Sequence, residues 1–503
     1  MKLLYTYISI GAAATLTALA QPSLTIYNQN FAVVRDTLPL DLKSGTNDVR
    51  YTEATAHVEP DSVILRDPSG KSSLQILEQN YRNDPVSQEL LLSLFEGKTI
   101  DFQKTDHFGQ PTNEIIQGKI IRSGYVPHYS AMIRYGYEYQ QAQMNYAAET
   151  GQPIIEVNGK IRFGLPGQPI FPDLGDDTVL KPTLNWLIQS ENSGKLDAEI
   201  SYITGGFTWE ASYNLVSPEK GDDVDLTGWV TMDNQSGKTF ENAKIKLMAG
   251  DVKKLQPQNG FIQSFSGIGG GGGSGMAPPV SEKSFDEYHL YTLERPTTLH
   301  DREMKQVEFV RANGIKTKTA YVYDGLKIDQ NRYNGWGYES IRQQREYGTD
   351  SNKKVWVMRE FVNSEANHLG MALPKGKLRF YRRDATDQME FVGEDEIDHT
   401  PRDETIRVKT GNAFDMVGER TQKSFQVDSN NHWADESFEI KLRNHKKEPV
   451  EIRVVEHLYR GNNWEITQKS DPFLKTNAQT IEFLVQVKPD EEKTVSYDVH
   501  YSW

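Results

Sequence analysis

Asp223–Gly250 reads DVDLTGWVTMDNQSGKTFENAKIKLMAG. Leu226, Trp229 and Met232 fall along its first run, and Asn234 to Lys238 supply turn-forming side chains. Ala243, Ile245 and Leu247 then alternate with charged or polar residues on the return. A side-chain period of two on either side of a polar turn is the pattern of β-strands with one buried face. The same grammar returns at Ser437–Leu458, where SFEIKLRN meets His445-Lys446-Lys447-Glu448-Pro449 and resumes as VEIRVVEHL. Ala198–Val216, AEISYITGGFTWEASYNLV, and the segments between Leu24 and Tyr51 alternate in the same way. Aromatics make up 10% of the residues, and few stretches keep a helical period, so the chain reads as mainly β. The predicted architecture is multi-domain antiparallel β-sandwiches, with an immunoglobulin-like C-terminal unit and one or two short helices in the N-terminal part.

Length and composition bound the rest. At roughly 150 residues per domain, the 503 residues suggest three domains, placed at 21–195, 196–395 and 396–503. Residues 1–20 read as a secretory signal peptide: Met1-Lys2 is positive, the following run is apolar or small, and Ala18-Leu19-Ala20 offers a cleavage site after Ala20. The expected product is exported, to the periplasm or beyond, with no transmembrane insertion of the mature chain, since no later run supplies the roughly 20 apolar residues a spanning helix needs. There is no cysteine, which removes disulfides, thiolate metal sites and a cysteine nucleophile. A net charge of −14 repels phosphate backbones, so nucleic acid is not an expected partner.

Two helices are expected. The first spans 85–96, with Asp84 as cap, Pro85 at the first position and Gly97 as the left-handed stop. The second spans 131–150 and carries Tyr135, Tyr139 and Tyr146 with Met132 and Met144. Prolines between Gln152 and Pro182 each remove a ladder donor and favour edge strands and connections. The glycines of Ile268–Pro279, IGGGGGSGMAPP, precede Pro278-Pro279, which forbids the helix a phosphate loop requires. A disordered surface loop over 257–284 is the reading.

Several phrases carry a family resemblance: YITGGFTWEASYNL (Tyr202–Leu215), FDEYHLYTLERPTTLHDREMKQVEFV (Phe285–Val310), VGEDEIDHTPRDETIRVKTGNAFDMVGER (Val392–Arg420) and the NNWEI around Trp464. With them the chain resembles an exported bacterial family known as domain of unknown function 4139. RDTLPLDLKSGTNDVRY and DPVSQELLLSLFEGKTIDF extend the likeness over nearly the whole mature chain. The resemblance implies an all-β, secreted or periplasmic protein, and it brings no reaction, cofactor or catalytic residue with it.

Chemistry concentrates in one acidic stretch between strand-like segments, holding Glu394, Asp395, Glu396, Asp398, His399, Asp403 and Glu404. Three readings compete: a solvated loop whose acids cap turns and pair with Arg402 and Arg420, a site for a divalent cation such as calcium, and acid/base catalysis. The spacing matches neither an EF-hand nor a helical zinc motif, and no cofactor is otherwise expected. A second candidate is RYNGWGYES (Arg332–Ser340), where Tyr333, Trp336 and Tyr338 sit among glycines and are able to present ring faces to a sugar or peptide. The competing reading tucks those rings against a neighbouring strand. The terminal VSYDVHYSW alternates like a closing sandwich strand; its flanking strands are too charged for a membrane barrel. No nucleophile elbow or comparable motif occurs. The expectation is therefore a non-enzymatic binding, adhesion or envelope-scaffold module with an envelope protein, peptide or glycan as partner. The alternative is a secreted hydrolase acting on envelope or extracellular glycans or peptides.

Overall fold

A computed structural model describes residues 21–82, 86–106, 108, 110–125, 141–142, 145, 151–174, 179–250, 252–254, 280–285 and 288–503. The expected signal peptide, most of the expected 131–150 helix and the glycine-rich run lie outside them; of 131–150, Gln141, Ala142 and Asn145 are described and helical. The chain is mainly β, with multiple antiparallel sheets and short helices. It divides into two compact units built from interleaved segments. One comprises residues up to Trp209, 232–277 and 290–305, and the other 210–231, 278–289 and 306–503.

In the first unit, Ser23–Tyr27 lies between Phe31–Leu42, antiparallel, and Phe240–Ala249, parallel. Phe31–Leu42 pairs on its other side with Gly194–Gly205. Leu24, Ile26, Ala32, Val34, Ile200, Tyr202, Ile245 and Leu247 are buried, each in the phase that alternation assigns to the inner face. Gln88–Leu94 is the first helix. Its cap is Ser87, whose side chain accepts from the Leu90 N–H at 3.2 Å, while Asp84 and Pro85 are not among the described residues. The helix sets Leu92, followed by Phe95, against Phe102, Ile120 and Ile155 of a small five-stranded sheet. That sheet has at its two edges Lys160–Phe163 and Gln168–Ile170, both from the segment between Gln152 and Pro182, the second carrying Pro169.

The opening stretch forms the strands Val224–Asn234 and Phe240–Ala249, which join different sheets and do not pair with each other. Asn234, fully buried, clamps the corner between them. Its Nδ2 donates to the carbonyls of Lys238 (2.9 Å) and His300 (3.0 Å), and its Oδ1 accepts from the Ser236 N–H (3.1 Å). Asn444 repeats this geometry: Nδ2 donates to Glu448 (2.9 Å) and Lys488 (3.1 Å), and Oδ1 accepts from Lys446 (2.9 Å). Its flanking strands, Trp433–Asn444 and Val450–His457, likewise do not pair with each other. The repeated sequence grammar is thus a repeated corner, in which a buried amide satisfies the carbonyls exposed where a chain leaves one layer for another.

In the second unit, nine strands form one continuous sheet. On one side of the long strand Thr405–Asp428 lie Trp433–Asn444, Glu492–Ser502 and Trp464–Lys469. On the other lie Lys354–Val362, Lys318–Asp324, Val450–His457, Thr480–Val487 and Phe473–Asn477. All but one junction is antiparallel; Tyr321–Asp324 pairs in parallel with Ile452–Val455. The two outermost strands are consecutive in the chain, joined by Ser470-Asp471-Pro472, so the two edges meet and the sheet wraps over one core. In that core Tyr497 meets its cross-strand partner Phe438 (5.4 Å) and, from a more distant strand, Phe483 (5.8 Å). The long strand serves both sides with different parts: residues 405–417 pair with Lys354–Val362 and residues 416–428 with Trp433–Asn444.

Two local expectations are corrected. Val280–Phe285, inside the predicted disordered loop, is a strand. Met389–Ile397 is also a strand, paired with Gly376–Arg383, so Glu394, Asp395 and Glu396 stand on a ladder rather than in a loop.

Candidate functional site

The acidic stretch spreads its side chains by strand alternation. Glu394 and Glu396 point to one face, where Glu394 meets Arg379 at 3.5 Å and Glu396 meets Lys375 at 3.9 Å. Asp395 points to the other face and accepts from the Lys409 N–H at 2.6 Å. Beyond the strand, exposed Asp398 lies 3.8 Å from Lys375, and His399 Nδ1 accepts from the Lys375 N–H at 3.1 Å. Asp403, at φ 64°, meets Arg402 at 3.3 Å, and Arg402 also reaches Glu365 at 3.1 Å. At Glu404 the backbone carbonyl accepts from the Asn363 N–H at 2.9 Å. Among the described residues, no group of three or more His, Asp or Glu side chains is placed to hold a metal. Arg420, the other expected partner of these acids, lies elsewhere, paired with Glu456.

The aromatic loop is different, because its rings do converge. Asp329 starts it as a turn, accepting at Oδ1 from the N–H groups of Asn331 (3.0 Å) and Arg332 (3.2 Å). Tyr333 is buried; its hydroxyl donates to the Glu346 carbonyl at 3.1 Å. Its ring meets the edges of Trp336 and Tyr347, both at 5.0 Å, and Trp336 stacks on Tyr347 at 6.4 Å. Tyr347 in turn meets Tyr459 at 5.3 Å. Trp336 remains 36% exposed and Tyr338 55% exposed. Arg342 lies 5.6 Å from the Tyr338 ring and 4.9 Å from that of Trp503, tying the loop to the chain's last residue. Of the three rings singled out in the sequence, Tyr333 is an anchor, Trp336 is partly exposed against Tyr333 and Tyr347, and Tyr338 is exposed beside Arg342.

Beneath this loop lies a cluster that the sequence reading missed. Arg420 and Glu456 pair at 2.9 Å and Arg460 and Glu436 at 2.8 Å, with all four side chains at most 1% exposed. Tyr497 donates its hydroxyl to Glu456 at 2.5 Å, and Gln422 Nε2 donates to Glu436 at 2.8 Å. Phe438 stacks on the Arg420 guanidinium at 3.8 Å and Phe425 on that of Arg460 at 4.4 Å. Burial alone would weaken the Arg420 charge, but the Glu456 carboxylate outweighs it and holds the guanidinium charged. Burial raises the Tyr497 and Tyr501 hydroxyls well above their ordinary range, so both stay protonated donors. Among the described residues, Arg420 Nη2, Arg460 Nε and Glu436 Oε2 have no hydrogen-bond partner. A sequence signal for this cluster existed. Glu436 is in phase with buried Ala434, Phe438 and Ile440, and Glu456 with Ile452 and Val454. A charge on the inward parity of a strand must find a partner.

His457, on the opposite face of the same strand, pairs through Nε2 with Asp324 at 3.0 Å. That hydrogen bond raises the imidazole pKa above its ordinary value, against a smaller opposing effect of burial.

The profile of a family described as a domain of unknown function, DUF4139, matches residues 198–503, more than half of the chain. The N-terminal phrases that resemble the family fall outside that match. No curated protein and no solved structure matches the chain. Among the described residues no helix is long and apolar enough to cross a membrane.

Proposed function

The chain belongs to the DUF4139 family, and on that premise we propose that it is a non-enzymatic binding, adhesion or envelope-scaffold module that meets its ligand at the Trp336 loop. The observation that carries this reading is the pairing of exposure with rigidity. Trp336 and Tyr338 offer ring faces to solvent, while Tyr333 and Tyr347 hold Trp336 in place. Pre-positioned rings lose little conformational freedom when a ligand stacks on them, which is why aromatic anchors dominate binding surfaces. The leader-like N-terminus supports an encounter outside the cytoplasm, in the periplasm or at the cell surface, with an envelope protein, peptide or glycan as ligand. The test is retention of the full chain on cell-envelope fractions and a glycan panel, with product analysis of the same incubations. Binding without product, lost in Trp336→Ala, is the expected result. Released sugars or peptides would replace this reading with a hydrolase.

A further inference from the structure

The small five-stranded sheet of the first unit ends differently at its two edges. At one stands Gln168–Ile170, three residues long and carrying Pro169, which has no N–H to offer. At the other stands Lys160–Phe163, KIRF, which pairs only with Ile154–Val157 and has all four residues exposed. Asn158 at φ 51° and Gly159 at φ 74° join these two strands in a two-residue turn with both central residues at positive φ, the kind that suits a tight hairpin. Val157 and Lys160 flank that turn and exchange both ladder bonds, and Ile155 and Arg162 do the same two residues on. Gly164 keeps the phase, donating its N–H to the Pro153 carbonyl at 2.8 Å. The N–H and C=O groups of Ile161 and Phe163 therefore point outward from the sheet's edge. A Cβ added at Gly159 or Gly164, which bracket the strand, would meet nothing within 4 Å, so neither end is crowded.

The side chains of this edge sort by face. Ile161 and Phe163, 67% and 66% exposed, lie on one, beside Glu156 and Ile154 across the hairpin. Lys160 and Arg162 lie on the other, and neither has an ion pair or side-chain hydrogen bond among the described residues. In a chain of net charge −14, two unanswered cations thus accompany the open ladder groups. A second copy of the chain does not fit there. Of the two antiparallel self-pairings with the longest overlap, one sets the two copies' Arg162 side chains opposite each other and the other sets Lys160 opposite Arg162. Like charges directly across a ladder are destabilising. A strand with acids at those positions reverses the sign of both contacts, and apolar side chains between them meet Ile161 and Phe163. We propose that Lys160–Phe163 is an edge for strand addition, and that it takes an extended segment of a partner protein in which acidic and apolar residues alternate. The segment pairs antiparallel, with its acids opposite Lys160 and Arg162. This surface belongs to the first unit and does not depend on the Trp336 reading.

Fluorescence anisotropy of labelled peptides on the full chain tests it, at an ionic strength of about 0.15 M, where screening over about 8 Å leaves the local pairs and removes the field of distant charges. The probes are a short peptide of alternating Val and Glu and its counterpart of alternating Val and Lys. Wild type is expected to bind the Val/Glu peptide about fivefold or more tighter than the Val/Lys peptide, and Lys160→Glu combined with Arg162→Glu to invert that order. Ile161→Pro removes an outward N–H that the hairpin does not use, so it should weaken Val/Glu binding about fivefold or more with the melting temperature unchanged. Equal binding of the two peptides, a preference that survives charge reversal, or full affinity in Ile161→Pro would each overturn the proposal. Should Ile161→Pro not fold, the ladder is removed from the peptide instead. Methylating the Val amides, which face the edge, should abolish binding by wild type, whereas methylating the Glu amides, which face away, should spare it. Equal loss from both, or loss from neither, contradicts the proposal. None of these readouts involves Trp336, so they separate this proposal from failure of the aromatic-loop reading.

Discussion

At the residue scale, the decisive groups are charges placed on the inward parity of strands. Arg420 and Glu456 are each 1% exposed in their side chains, so removing one leaves the other charged in a dry core. Arg420→Met is expected to destabilise the protein by about 3–5 kcal/mol, and pairing it with Glu456→Gln should recover part of that loss. Chemical denaturation checks both; near-wild-type stability for the single variant would contradict the buried pairing. His457 gives a pH-dependent counterpart. Its pKa is raised by Asp324, so its stabilisation is fully present below the unfolded-state pKa and is lost as pH rises through the higher folded-state value. An NMR titration should place His457 above the ordinary histidine midpoint, and Asp324→Asn should bring it down; an unchanged midpoint would remove Asp324 as the cause. What was legible here was alternation. What was not was partner choice, because Arg420 and Glu456 meet through a fold that brings together positions 36 residues apart.

At the element scale, strand periodicity explains both a success and a miss. Val495, Tyr497, Val499 and Tyr501 alternate in the sequence and are buried in the strand Glu492–Ser502. The acidic stretch reads as a loop because its charges hide the same period, yet Met389–Ile397 pairs with Gly376–Arg383 on both sides of a bulge at Val392. That pairing sends Asp395 away from Glu394 and Glu396, and Lys375, Arg379 and Arg402 already answer the acids around it. Calcium is therefore expected to leave the melting temperature unchanged, in wild type and in Asp398→Ala alike. A calcium-dependent rise that Asp398→Ala abolishes would restore the metal reading. The turns at Asn234 and Asn444 were visible as turns, but not as corners. Nothing local distinguishes a hairpin from a change of layer; the buried amide that donates to three carbonyls comes into view only with the distant strands in place.

At the scale of the whole molecule, the β class follows from composition and period, while the assembly does not. The parallel junction of Ser23–Tyr27 with residues 244–248 and the return of 210–231 to the second unit are long-range pairings that a reading along the chain cannot supply. The family match begins within the strand Gly194–Gly205 and runs to residue 503, so it contains the buried ion pairs and the aromatic loop together. The account makes that end of the second unit a binding surface. The direct measurement is the affinity of the full chain for its native envelope fraction, compared with Trp336→Ala and Tyr338→Ala variants that retain wild-type melting temperature. The account predicts saturable retention of the wild type, at least tenfold weaker retention of both variants, and no released product. Equal retention of all three proteins would contradict it.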